Sequence, residues 1–373
     1  MRIKFRTRST RIAASRMAVL SLILILIFAA QFCADRSLLG QDAAYLVTEL
    51  TSEDGAQVPS KLNNLGVIVG RQAGDGKGAP RATFWSHSHA KGKHLGVLAG
   101  ADYSSATGIN DTGEITGSSN AEAAILPFIW TEKGGLQRLP VLPGDTCGQA
   151  VAINKHGDIA AYSSGSNGAR AFLWSRKGGV RNLGTLAGGN YSRAHDLNDS
   201  DEVAGVSGSL AGDRAVLWIK DGNARDLGTL PGDFASEALA INNAGEVVGY
   251  SKGPNGMRAF LWTKSNGMEE LGILAGGSSS RALAINDSST VVGASATQSG
   301  DHAFVWKRQT GMLDLNDAAS LAPGTVLLEA HAINRKGEIL AMGGMDHGGM
   351  ASEDHRCAPA PPLSFLLTPT NAP

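Results

Sequence analysis

Two apolar patterns run through this chain and recur together. In Arg258-Ala-Phe-Leu-Trp262 the side chains of an extended strand alternate, Phe260 and Trp262 on one side and Ala259 and Leu261 on the other, and both sides are apolar. In Glu246-Val-Val-Gly249 the apolar residues are consecutive, which suits a strand covered on both faces. Across one stretch the pattern predicts four strands, at 237–241, 246–251, 258–262 and 269–274. Asn242-Asn-Ala-Gly245 joins the first two as a turn: the Asn side chain can accept a backbone N–H, and the Gly supplies a positive φ. A tight Asn266-Gly267 turn precedes the fourth strand. With both faces apolar, such a unit has to pack against copies of itself.

The copies are present. The Ile-Asn or Leu-Asn turn recurs at Asn63, Asn110, Asn154, Asn198, Asn242, Asn286 and Asn334, with 44 residues between the middle copies and 47 and 48 at the two ends. Trp85, Trp130, Trp174, Trp218, Trp262 and Trp306 keep the same beat, as does a Leu-Gly-x-Leu motif or a variant of it from 95–98 to 313–315. Four-stranded units of this length are blades of a β-propeller. A Gly that often closes the second strand (Gly70, Gly117, Gly205, Gly249, Gly293) fits a place where backbones approach closely.

The seventh unit runs from Glu329 to the apolar 364–368 segment and stops without a last strand, while Tyr45–Leu50 stands unassigned before the first unit. Joining them leaves no open edge. The expectation is an all-β chain: a seven-bladed β-propeller of four-stranded antiparallel blades spanning 44–369, its ring closed by strand 45–50, with a tail at 370–373. An open β-solenoid is the alternative, and it leaves 45–50 without a role.

These residues resemble the HAF-repeat family, named for a His-Ala-Phe motif found here as His302-Ala303-Phe304, with Arg-Ala-Phe at 170–172 and 258–260. The resemblance covers the chain after its leader, including Gly-Met-Leu-Asp-Leu-Asn (311–316), Ala-Ile-Asn (332–334) and Phe-Leu-Leu-Thr-Pro (365–369). It implies an extracellular or periplasmic bacterial protein of undefined activity and brings no catalytic residue. Val216 and Thr83 stand where Phe is usual, and Ala161 and Ala341 replace the second-strand Gly.

Before the repeats, Arg2, Lys4, Arg6, Arg8, Arg11 and Arg16 precede an apolar run from Met17 to Phe32. That order reads as an export signal over 1–34; the alternative is a retained membrane anchor, against which the run is short for a span. Cys33 raises lipidation, against which Phe32 stands where a small residue is expected. The chain has 33 basic and 34 acidic residues, and removing those six leaves 27 against 34. An acidic body with no basic stripe argues against nucleic acid as a partner. With Cys33, Cys147 and Cys357 alone, at most one internal pair could form, so the fold stands on its core. A secreted, periplasmic or cell-surface monomer is expected, touching membrane only through its N-terminal segment.

Three places could carry chemistry. The loops entering the innermost strands bring Asp102, Asp145, Asn190 and Asp233, which would ring one channel mouth with oxygen donors for a ligand or calcium. The plainer reading is that these residues simply form turns. The seventh unit carries an insertion with Met345, His347, Met350, His355 and Cys357, a thioether, imidazole and thiolate set that would suit copper as Cu(I). Met-Asp-His-x-x-Met resembles the Met/His motifs of bacterial copper-resistance proteins, which usually repeat it. His87, His89 and His94 lie among Lys91 and Lys93 and read as a solvated loop. No nucleophile elbow, zinc-binding helix motif, phosphate loop or Cys-x-x-Cys pair occurs.

The leading expectation is therefore an exported, non-catalytic scaffold whose loops bind protein or carbohydrate. The rivals are a Cu(I)-binding protein using 342–357 and a hydrolase or lyase acting at the channel mouth.

Overall fold

The computed structural model describes residues 44–50, 57–74, 78–86, 91–166, 168–220, 222–345 and 363–370. Six sheets of four antiparallel strands follow one another along the chain. The fifth blade is representative: Ala235–Ile241 is innermost, followed outward by Val247–Gly253, Gly256–Thr263 and Gly267–Gly272.

The seventh blade is assembled from both ends of the repeat region. Thr325–Ile333, Ile339–Met345 and Leu363–Pro369 supply three strands, and Tyr45–Glu49 pairs antiparallel with the third, Val47 opposite Leu367. The closing strand is thus the one that the sequence left unassigned. One addition was not expected. A two-residue strand, Ala319–Ser320, pairs parallel with Tyr45 and Leu46 and covers the outer edge. It follows the single-turn helix Leu315–Ala318, capped by Asp314, which is the only helix among the described residues.

Strand alternation decides which neighbour each side chain meets. Phe260 and Trp262 pack on Leu217, Leu227 and Leu230 of the fourth blade. Ala259 and Leu261, one residue out of phase, pack on Ile285, Phe304 and Trp306 of the sixth. The core is therefore a set of seams between blades, and each fully buried Phe contributes about 2–3 kcal/mol. At the closing seam Leu50, Leu62, Ile68 and Trp85 meet Ala332 and Leu340.

Close approach explains the second-strand glycines. A Cβ on Gly249 would lie 2.0 Å from the Glu237 carbonyl oxygen, opposite an inner-strand bulge between Ala238 and Ala240. The same contact recurs at Gly205 against Arg193 and at Gly293 against Arg281.

Candidate functional site

The axial channel has two ends, and different chemistry builds each. At one end lie the seven Asn turns. Asn242 Oδ1 accepts from the backbone N–H groups of Ala244 and Glu246, which fixes its own turn. Its Nδ2 donates to the backbone carbonyl of Asn286 in the next blade at 3.1 Å. All seven Asn residues do the same, and the last of these bonds runs from Asn334 to Asn63 at 3.1 Å. The result is a closed ring of side-chain amides, each buried with both its oxygen and its nitrogen bonded.

The residue after each Asn lines the mouth outside that ring. Asn64, Asp111, Lys155, Asp199, Asn243, Asp287 and Arg335 border a polar cavity of about 200 Å³. Arg335 reaches Asp287 at 2.6 Å and, from three blades away, Asp199 at 4.0 Å. Burial pushes the Asp287 carboxyl up, but the Asn243 N–H groups and Arg335 outweigh it and hold the group below the usual carboxylate value. The carboxylates here are thus met by built-in partners.

The four residues expected at a channel mouth sit at the opposite end, and three of them are bonded within their own blades. Asp102 accepts from Asn120 of its own blade. Asp145 takes Ser163 at 2.6 Å and Arg170, also of its own blade, with its side chain 1% exposed. Asp233 pairs with Arg258 at 2.9 Å. Asn190 is exposed in the loop before the fourth blade. A carboxylate removed from water takes the nearest cation, here within one blade, so Asp145 and Asp233 act as clasps.

Between the fourth and fifth blades, at this same end, inner strands bring together side chains that sequence reading missed. His195 Nε2 stands 2.7 Å from Glu237 Oε1, and the Tyr250 hydroxyl donates to Glu237 Oε2 at 2.5 Å. Burial raises the Glu237 carboxyl, yet the contacts from His195 and Tyr250, with Arg193 nearby, bring it net below the usual value. Burial, reinforced by Glu237, raises the Tyr250 phenol; burial and then Asp213 raise that of Tyr191. Both phenols therefore stay protonated donors at neutral pH.

Next to this cluster is a groove of about 360 Å³ lined by Asp213, Phe234, Glu237, Tyr250 and Lys252. Phe234 is 54% exposed, and its carbonyl is pinned by Arg214 at 2.7 Å. A signal for this cluster was present in the chain. The position five residues before the last five repeat Asn residues reads Gln149, Arg193, Glu237, Arg281 and Glu329, an alternation of sign from the fourth blade to the seventh. Arg281 meets Glu329 at 3.2 Å across one of these blade boundaries.

Deeper in the channel, His331 stands beside Lys61 and the Pro59 backbone, with both ring nitrogens out of contact with solvent. Burial first, then Lys61, push its pKa down to about 4, so the ring is neutral at pH 7.

Several expected residues fall outside the described residues. These are the 1–34 segment, His87, His89, His347, Met350, His355, Cys357 and the side chain of Met345. Cys147 Sγ lies 3.6 Å from the Ser164 carbonyl oxygen, and His94 Nδ1 lies 2.9 Å from Thr83 Oγ1. Among the described residues no three His, Cys, Asp or Glu side chains gather as a metal site.

No protein-family model matches the chain, and no curated relative does. Solved structures do match. A streptogramin B lyase is 12% identical with a TM-score of 0.50, over 87% of this chain and 98% of that one. A catalytically inactive virginiamycin B lyase from Staphylococcus aureus with quinupristin is 12% identical with a TM-score of 0.51, over 87% of this chain and 99% of that one. The β-propeller domain of the Trilobed protease from Pyrococcus furiosus is 9% identical with a TM-score of 0.50, over 78% of this chain and 89% of that one. That domain is described as having an open velcro topology, whereas Tyr45–Glu49 closes the last blade here. At such identities the likeness is one of fold.

Proposed function

We propose that this protein is an exported binding propeller that takes a carbohydrate in the groove between its fourth and fifth blades. The observation that supports this reading is the half-exposed ring of Phe234 beside Glu237, Tyr250, Asp213 and Lys252. An aromatic face stacks on the apolar face of a sugar ring, and a few fixed polar groups select its hydroxyls. Here those groups are held before any ligand arrives: Glu237 by His195 and Tyr250, and the Phe234 backbone by Arg214. Less side-chain freedom then has to be lost on binding. Export rests on the arginine-rich start followed by the apolar run to Phe32.

A glycan array followed by calorimetry tests the reading. The Phe234→Ala protein is expected to bind the best glycan about tenfold more weakly, the equivalent of one stacking contact. Equal affinity in wild type and variant, or no glycan bound at all, sinks it; the second outcome turns the search to a protein partner at the same groove.

A further inference from the structure

Blade six differs from blade five at one set of equivalent positions. In blade five, Arg258 on the third strand is joined to Glu270 at 2.8 Å and to Asp233 at 2.9 Å. In blade six, 44 residues further along, the corresponding residues are His302, Asp314 and Gly277. The outer pair is retained in altered form, His302 Nδ1 lying 2.6 Å from Asp314 Oδ2. The inner carboxylate is gone, and the other ring nitrogen faces a hydroxyl instead: Ser299 Oγ lies 3.1 Å from His302 Nε2.

Hydrogen placement follows from the neighbours. Thr297 Oγ1 donates to the Gly300 carbonyl at 2.8 Å and accepts from the Ser299 backbone N–H at 3.2 Å. The Ser299 hydroxyl proton then has two acceptors within reach, Thr297 Oγ1 at 3.0 Å and His302 Nε2 at 3.1 Å, and it is the second that activates the oxygen, while the imidazole carries its own proton on Nδ1 towards Asp314. Asp314 is fixed in turn. Its Oδ1 accepts from Asn316 N at 2.8 Å and Asn316 Nδ2 at 2.9 Å, and Asn316 is bonded in both directions to the Leu327 backbone. Ser299 is exposed at a hairpin tip, and His302 and Asp314 border a cleft of about 660 Å³. Its walls are Ile273, Leu274, Met312 and Leu313, with Gln298 at the same rim.

We propose that Ser299, His302 and Asp314 form a nucleophile, base and positioning residue that hydrolyse carboxylic esters with an apolar acyl group. The arrangement meets the geometric requirement for an activated hydroxyl, a nucleophile bonded to a base that a third group orients. Ser299 Oγ bonds to the ester carbonyl carbon as its proton passes to His302 Nε2. The ester C–O bond breaks, and the leaving alkoxide takes that proton and departs as the alcohol. Water then adds to the acyl-serine, gives a proton to His302, and the acid leaves as Ser299 Oγ is reprotonated. The Gln298 carboxamide, which packs over Gly276, is the side chain at hand to donate to the carbonyl oxygen as charge develops there. The site shares no residue with the groove between blades four and five, so each can fail without the other.

The experiment uses the full chain with p-nitrophenyl butyrate as substrate and a fluorophosphonate as label, the modified peptide being located by mass spectrometry. Wild type is expected to hydrolyse the ester and to carry the label on Ser299. Ser299→Ala should lose both with an unchanged melting temperature, hydrolysis falling on the order of 10²–10³-fold. His302→Arg restores the pair found at Arg258 and Glu270, so it keeps the fold contact with Asp314 and removes the base; it should be as inactive as Ser299→Ala. An unlabelled Ser299 in wild type overturns the proposal. So does a wild-type hydrolysis rate in Ser299→Ala or in His302→Arg, the latter leaving His302 with a purely structural role.

Discussion

Asn334 Nδ2 donates to the Asn63 carbonyl oxygen at 3.1 Å across 271 residues of sequence, and this bond shuts the amide ring. The strand closure by Tyr45–Glu49 lies within the seventh blade itself, so two independent fastenings join the ends of the array. An open array would leave edge backbone groups and two blade faces in water.

The ring makes the asparagine position testable. Asn242→Asp keeps the Oδ1 acceptor for Ala244 and Glu246 but replaces the donor that reaches Asn286. Urea unfolding is expected to show a loss of about 1–3 kcal/mol, since a buried carbonyl loses its partner and faces a carboxylate. Asn242→Ala, which also removes the turn acceptor, should cost more.

Deleting residues 45–49 exposes the edge of Leu363–Pro369 and the apolar surface covered by Tyr45. The shortened protein is expected to melt lower and to form larger species as its concentration rises, measured by calorimetry and light scattering. A monomer with the wild-type melting temperature would show that the closing strand adds no stability.

His331 predicts how stability responds to acid. Its folded pKa of about 4 lies below the ordinary 6.5, so the unfolded chain takes up the proton first as pH falls. Its contribution is intact above about pH 6.5 and drains away towards pH 4, by up to about 3 kcal/mol. Leu239 and Leu283 stand three residues before their repeat Asn, as His331 does. His331→Leu should therefore fold and show a shallower loss of stability between pH 6.5 and 4, followed by denaturant titration at each pH.

Arg335 can be separated from the ring it covers. In Arg335→Gln the Asp287 carboxyl loses a cation 2.6 Å away and should titrate at higher pH, read from its carboxyl carbon shift by NMR. Because the pair is half exposed, the change in stability should stay below about 1 kcal/mol.

A Cu(I) titration addresses the insertion in the seventh blade. If the Met/His segment binds metal, replacing Met345, His347 and Met350 together should weaken Cu(I) binding at least about tenfold. Equal affinity in both proteins would remove copper from consideration.

Much of this fold was legible in the chain because a blade is a local object. Phe260 and Trp262 alternate with Ala259 and Leu261, and each pair duly faces a different neighbour. The Asn-x-x-Gly turns mark every inner hairpin at a constant interval, and the unassigned strand at 45–50 had one vacancy to fill. Backbone hydrogen bonding and strand alternation repeat with the sequence, so periodicity alone determined the number of blades and the closure.

The side-chain partners were decided by the folded ring. Asp145 and Asp233 met Arg170 and Arg258 in their own blades. His195 met Glu237 from the next blade, and Ser299 met His302, whose equivalents in the fifth and third blades are Arg258 and Arg170. Such pairings depend on the angle between adjacent sheets and on which cation lies nearest a carboxylate leaving water. Those quantities exist only once the strands have packed, which is why spacing along the chain could locate the blades but not the chemistry between them.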